Sequence, residues 1–217
     1  MPTSHSTLRS AARYLRSWAV YLRWRILGIT ASPQSSEDWD REFAAGSWSF
    51  LEETAQSAHH GVIAAYALAL APSSILDVGC GQGMLAEHLK TVPYRYYLGI
   101  DYSPVAVDKA VQRHADARTG FLASDARRFQ ADRAFDLIVF NESLYYLGDP
   151  REILEKYARF LAPNGRFIVS IYSSPRNRAV WHAIHAAVTI DDAVTVRNRQ
   201  TGKGWTIEVL SPRQIRT

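Results

Sequence analysis

The sequence predicts an α/β fold: a mostly parallel sheet with helices on both faces, finished by an antiparallel strand pair. Three observations predict it. The run Ile75-Leu76-Asp77-Val78 reads as a short buried strand, and it is followed by glycines at 79, 81 and 83 and then by the helical stretch MLAEHLK. Four further short apolar runs alternate with helix-like segments, the rhythm of βαβ units. Two alternating segments, 193–198 and 205–210, flank Thr201-Gly202-Lys203-Gly204 and read as an antiparallel pair.

A chain of 217 residues with 47% hydrophobic residues can bury one full core. It divides into a basic amphipathic helix with its linker, 1–36, and an α/β domain, 37–217. Cys80 is its single cysteine, so a disulfide framework is excluded and a reducing, cytoplasmic compartment fits. The net charge of +4 is unevenly placed. Arg9, Arg13, Arg16, Arg23 and Arg25 lie before the first acidic residue, Glu37, so the remainder is one charge negative. That balance argues against a nucleic-acid surface on the body. Metal-ligand spacing is also missing: His182 and His185 share a helical face but have no third partner.

Taken in order, residues 7–30 set arginines on one helical face and Leu8, Leu15, Leu22 and Ile26 on another. The segment suits peripheral contact with an anionic membrane, packing on its own domain, or self-association. Its arginine and serine content also fits a transit peptide, and its arginines prevent it from spanning a bilayer. Residues 31–37 read as a linker. From Asp38 acidic residues interleave with Trp39, Phe43 and Trp48, and 50–70 is helical up to Pro72, with His59 and His60 on that helix.

Strand one, 75–78, opens the glycine turn. Strand two runs 96–100 and ends at Asp101. Ser103-Pro104 supplies an N-cap and a first-turn proline for a helix towards Ala117. Strand three is 121–123 and strand four is 135–140. Asp149-Pro150 opens a helix to Leu161, Pro163-Asn164-Gly165 makes a turn, and strand five is 166–172. A helix over 178–189 precedes the closing pair.

The glycines fall as Gly79-x-Gly81-x-Gly83, and Met84 stands where a dinucleotide fingerprint needs a small residue. This disfavours a nicotinamide-dependent oxidoreductase. The stretch Leu76-Asp77-Val78-Gly79-Cys80-Gly81-Gln82-Gly83 resembles the first motif of the class I S-adenosylmethionine-dependent methyltransferases. The resemblance covers roughly 50–210 and implies a Rossmann-like sheet of seven strands. It implies S-adenosyl-L-methionine as cofactor, bordered by Asp77, Gly79, Gly81, Gly83 and Asn141. Asp101 lies about twenty residues beyond the first glycines, the spacing of an acid that binds ribose hydroxyls. The resemblance gives it that role, sets Tyr102 beside the adenine, and assigns the adenine edge to Asp125 and Ala126. It also puts 141–146 where methyl and acceptor meet. The wording LYYL is similar to nodulation N-methyltransferases.

These residues imply a methyltransferase acting on a small polar acceptor, a sugar hydroxyl in glycan or secondary-metabolite synthesis, with N-methylation of a small amine as the runner-up. Candidates for a general base are Glu142, His59 and His60. The alternative is a methyltransferase-like module that binds without turnover.

Overall fold

The computed structural model describes residues 35–48 and 54–213. The predicted basic helix at 7–30 lies outside them. A short helix, α1 (Ser36–Ala44), begins at a reciprocal cap: the Ser35 hydroxyl accepts from the Asp38 amide while the Asp38 carboxylate reaches back to the Ser35 amide. Helix α2 (Thr54–Leu70) follows, and the chain turns at Ala71, held at φ 47°, before Pro72.

The sheet then builds from the middle outward. Its strands are β1 (Ser74–Val78), β2 (Tyr96–Asp101), β3 (Thr119–Ala123), β4 (Phe135–Asn141), β5 (Leu161–Tyr172), β6 (Val188–Arg197) and β7 (Gly204–Pro212). Helix α3 (Met84–His88) follows β1, α4 (Pro104–His114) follows β2, α5 (Pro150–Ala158) follows β4, and α6 (Arg178–Ala187) follows β5. The spatial order is β3-β2-β1-β4-β5-β7-β6. The first five strands are parallel, and β7 runs antiparallel to both β5 and β6. This is the predicted Rossmann-like seven-stranded sheet with its closing pair.

Both faces of the central strands are covered, which explains why they read as continuous apolar runs. Leu76, Val78, Ile138, Phe140, Phe167 and Val169 pack on one side with Tyr157 of α5 and Ile184 of α6. Their neighbours Ile75, Leu137, Val139 and Ile168 face the other side, against Ile63 of α2 and Leu85 of α3. The period of two along each strand is therefore intact but hidden by burial on both faces.

Several boundaries differ from the sequence reading: the helix expected to reach Leu161 stops at Ala158, and β5 starts at Leu161 rather than 166. The expected turn at Pro163-Asn164-Gly165 is an irregularity inside β5: pairing with β4 jumps from Phe135↔Leu161 to Leu137↔Arg166, and Asn164 takes φ 64°. The expected helix over 178–189 stops at Ala187, and Val188 already belongs to β6. Thr189 and Ile190 pair with Ser211 and Leu210, and the Ser211 hydroxyl donates to Asp191 at 2.9 Å. Pairing with β7 wins over weak helix propensity there.

The order places β1 between β2 and β4. Successive strands step one way from β1 to β3 and then restart on the other side at β4. A parallel sheet opens a crevice at such a reversal, at the carboxyl ends of the strands.

Candidate active site

Four strand ends and one helix build the site. After β1 the glycines adopt left-handed φ values of 79°, 53° and 78° at Gly79, Gly81 and Gly83. They do different jobs. A Cβ at Gly79 would lie 2.4 Å from Cβ of Ser143, so this glycine lets the turn after β4 pack against the end of β1. There the Ser143 hydroxyl donates to the Val78 carbonyl. A Cβ at Gly83 would meet His114 at 2.8 Å and Ala110 and Phe121 at 3.2 Å, so this glycine lets α4 and β3 approach the turn. At Gly81 the nearest atom would be the Phe43 ring at 3.7 Å, an ordinary contact. Of the three, Gly81 keeps the most open backbone.

Asp101 ends β2 beside this turn. The Gly81 amide donates to its Oδ2 at 2.8 Å and the Ser103 amide to its Oδ1 at 2.9 Å. A carboxylate offers about four lone pairs, so both oxygens retain capacity for two hydroxyl donors. Burial lifts the Asp101 carboxyl above the ordinary Asp range; the amides of Ser103, Gly81 and Tyr102 pull it back. Asp77 lies deeper, 1% exposed in β1. Burial pushes its carboxyl up to about 7, against the pull of the Tyr97 hydroxyl, which donates to Oδ2 at 2.7 Å. Its Oδ1 has no hydrogen-bond partner among the described residues.

The β3 end carries Asp125 and Ala126. Burial would raise Asp125, but Arg127 grips both of its oxygens, Nε at 2.9 Å and Nη2 at 3.0 Å, and the net result is a lowered carboxyl. The same guanidinium lies 5.8 Å from the Tyr102 ring centroid. Sequence reasoning missed Arg127, although its place two residues after Asp125 was visible. The Ala126 carbonyl accepts from Tyr157 at 2.9 Å and Lys156 at 3.0 Å, which anchors this loop to α5.

At the β4 end, Asn141 is half-buried and its Oδ1 has no hydrogen-bond partner among the described residues. Glu142 follows at φ 58°, a rare conformation for a residue with a Cβ, and its amide donates to the Ser170 carbonyl at 2.9 Å. Burial raises the Glu142 carboxyl to about 8, opposed by the Tyr145 hydroxyl and the Tyr172 amide. Its Oε1 is buried without a partner among the described residues. A short 3₁₀ turn, Leu144–Tyr146, sets the Tyr145 and Tyr146 rings with centroids 4.4 Å apart and planes tilted by 49°. Tyr146 meets Trp39 of α1 edge-on at 5.3 Å, and Trp39 lies 5.6 Å from Trp48. Helix α1 thus reaches from the glycine turn, through Phe43, to the end of β4, through Trp39.

The two histidine candidates lie on α2. His59 is 1% exposed and stacked on Trp205 of β7, with centroids 4.6 Å apart and planes 15° apart. His60 is 3% exposed and lies between His59 and His88. Burial and the neighbouring histidines push His59 down to about 4 and His60 lower still. The structure therefore gathers the glycines, Asp101, Asp125, Asn141 and Glu142 at one end of the sheet. It places His59 and His60 as neutral rings between α2, α3 and β7. Cys80 is equally unsuited to chemistry, since burial drives its thiol well above the usual range. No group of metal-binding side chains occurs among the described residues.

The arrangement fits a nucleoside-bearing sulfonium cofactor. An open glycine backbone, a carboxylate at the second strand and an unpartnered amide oxygen at the fourth converge on one crevice. Comparison with known proteins agrees. A methyltransferase-domain family model matches residues 48–210. Nodulation protein S of Rhizobium tropici is 32% identical over 159 residues, covering 70% of this chain and 65% of its own length. An uncharacterised methyltransferase of Mycobacterium bovis is 31% identical over 148 residues, 67% of this chain and 72% of its own. The crystal structure of the N-methyltransferase NodS from Bradyrhizobium japonicum with S-adenosyl-L-homocysteine superposes with a TM-score of 0.67 at 22% identity. It covers 83% of this chain and 100% of that one. This chain belongs to the methyltransferase-domain family, as a class I S-adenosyl-L-methionine-dependent methyltransferase.

Proposed function

We propose that this chain methylates an amine nitrogen of a small polar acceptor, with Glu142 as the group that holds the amine and takes its proton. The observation that carries the reading is the Glu142 carboxyl: raised to about 8, one oxygen held by Tyr145 and the other without a partner among the described residues. Tyr145, which holds Glu142, begins a chain of ring contacts that continues through Tyr146 to Trp39. A carboxylate beside aromatic rings suits a cationic ammonium. The bound cofactor supplies an electrophilic methyl group on a sulfonium. Glu142 in its ionised form accepts a proton from the entering ammonium and frees the nitrogen lone pair to take the methyl group, whose bond to sulfur would break as the C–N bond forms and release a neutral thioether. Its raised pKa matches an amine more closely than an ordinary carboxylate does. The nodulation proteins this chain resembles, one of them an N-methyltransferase by name, support the same reading.

A second reading keeps Glu142 as the base but gives it a sugar hydroxyl, in glycan or secondary-metabolite synthesis. Its raised carboxyl also suits that task. The test is turnover, followed as S-adenosylhomocysteine release, with glucosamine, N-acetylglucosamine and ethanolamine. Turnover of the two free amines and none of the acetylated sugar supports the amine. Equal turnover of both sugars supports the hydroxyl. Tight S-adenosylhomocysteine binding with no turnover across a broader acceptor panel favours a binding module.

Residues 7–30 carry a separate proposal, peripheral contact with anionic lipid or with a second copy. Its basis is the run of five arginines before the first acid. Among the described residues, no helix is long and apolar enough to cross a membrane. Vesicle co-sedimentation that survives deletion of residues 1–30 would refute the lipid version.

A further inference from the structure

Asp101 is held by the amides of Gly81 and Ser103, and both of these donors are themselves held by helix α1. The Phe43 ring packs over Gly81. Asp40, one turn earlier on α1, takes the Ser103 hydroxyl and the Val105 amide on its Oδ1, the latter at 3.3 Å. Ser103 is fully buried, and its oxygen also accepts from the Ala106 amide at 3.1 Å. Asp40 therefore shares the capping of α4 with Ser103, the residue whose amide fixes Asp101. The far end of α1 is fixed too, because Lys109 of α4 donates to the Phe43 carbonyl at 2.8 Å.

We propose that Asp40 is a positioning residue for cofactor binding: through Ser103 it holds the Asp101 carboxylate in the orientation that receives the ribose hydroxyls. The proposal rests on the cofactor assignment and is independent of which acceptor is methylated.

Asp40 also acts through charge. The acidic groups that face Asp101 are Asp40 from α1, Asp77 from β1 and the Cys80 thiol from the glycine turn, and Asp40 adds to the upward push on the Asp101 carboxyl. Asp101 must be ionised to accept two hydroxyls. Affinity is therefore lost as pH falls through its raised value. Removing the Asp40 charge moves that loss to lower pH.

The experiment is calorimetric titration with S-adenosylhomocysteine of the full chain and of Asp40→Ala and Asp40→Asn, between pH 4.5 and 8. Asparagine keeps an oxygen that accepts from both Ser103 and Val105, while alanine does not. Asp40→Ala should bind roughly tenfold more weakly at pH 7, the loss of one well-placed hydrogen-bond system. Asp40→Asn should bind within about twofold of the parent at pH 7 and keep its affinity to lower pH. Parent-like binding by Asp40→Ala overturns the proposal. So does an equal loss in both variants, which would show that α1 matters only as bulk. If Asp40→Ala does not fold, the low-pH limb of Asp40→Asn decides alone: a shift to lower pH supports the proposal and an unshifted limb overturns it. Failure of the parent to bind would instead refute the cofactor assignment.

Discussion

The Tyr145 hydroxyl donates to Oε2 of Glu142 at 2.9 Å, three residues along a short turn, and leaves Oε1 buried without a partner among the described residues. The pair lies in the turn that follows β4. Desolvation holds the Glu142 proton to about 8, and the tyrosine hydroxyl stabilises the ionised form.

If Glu142 takes the acceptor's proton, turnover rises with pH through about 8 as the carboxyl ionises. Glu142→Gln should lose about 100-fold or more in kcat, the lower range for a positioned acid–base group. The rising limb should then report the amine alone. Raised Glu142 also costs stability once ionised, so the Gln variant should gain thermal stability over the parent at pH 9 and gain less at pH 6. A pH–rate profile and melting curves at the two pH values check both signs.

Asp101→Ala removes two hydroxyl-accepting oxygens from the crevice. S-adenosylhomocysteine affinity should fall by roughly 100-fold, about 3 kcal/mol for two hydrogen bonds to a charged group. Calorimetric titration measures it, with circular dichroism to confirm an unchanged fold.

The glycines separate packing from binding. Gly79→Ala drives a Cβ to 2.4 Å from Ser143 at a left-handed φ, and should destabilise by about 3 kcal/mol. Gly81→Ala meets only an ordinary contact and carries the φ cost alone, about 1 kcal/mol. Its larger effect should be on S-adenosylhomocysteine affinity. Urea denaturation and titration of both variants give the contrast.

His59 should behave as a packed ring. His59→Phe preserves the stack on Trp205 and should keep kcat within about twofold with an unshifted pH profile, as expected for a group whose titration near 4 lies below the working range. His59→Ala should lose roughly 2–3 kcal/mol of stability through the cavity it leaves. The sign of the pH effect follows from its lowered pKa. The unfolded chain binds the proton below 6.5 and the native state resists it down to about 4, so stability falls across that window. Phenylalanine should remove part of this fall in acid denaturation. A kcat collapse in His59→Phe would restore histidine as a base candidate.

The local chemistry of the site was legible in the chain. Leu76 to Gly83 announced a strand, a glycine turn and a helix, because apolar runs and left-handed positions have one-residue signatures. Asp101 and the Ser103-Pro104 cap were legible for the same reason, and the alternating pair at the end foretold the antiparallel edge. Other features arise between distant segments. That Gly79 serves Ser143, that Asp40 meets Ser103 sixty-three residues away, and that Phe43 closes over Gly81 are facts of packing. The raised carboxyl of Glu142 and the lowered imidazole of His59 depend on how much water the surrounding side chains exclude. The residues that could do chemistry were thus determined by the sequence alone. Which of them remain able to, and what holds them in place, was decided by the tertiary structure, because desolvation and long-range contact exist only once the sheet and its covering helices have assembled.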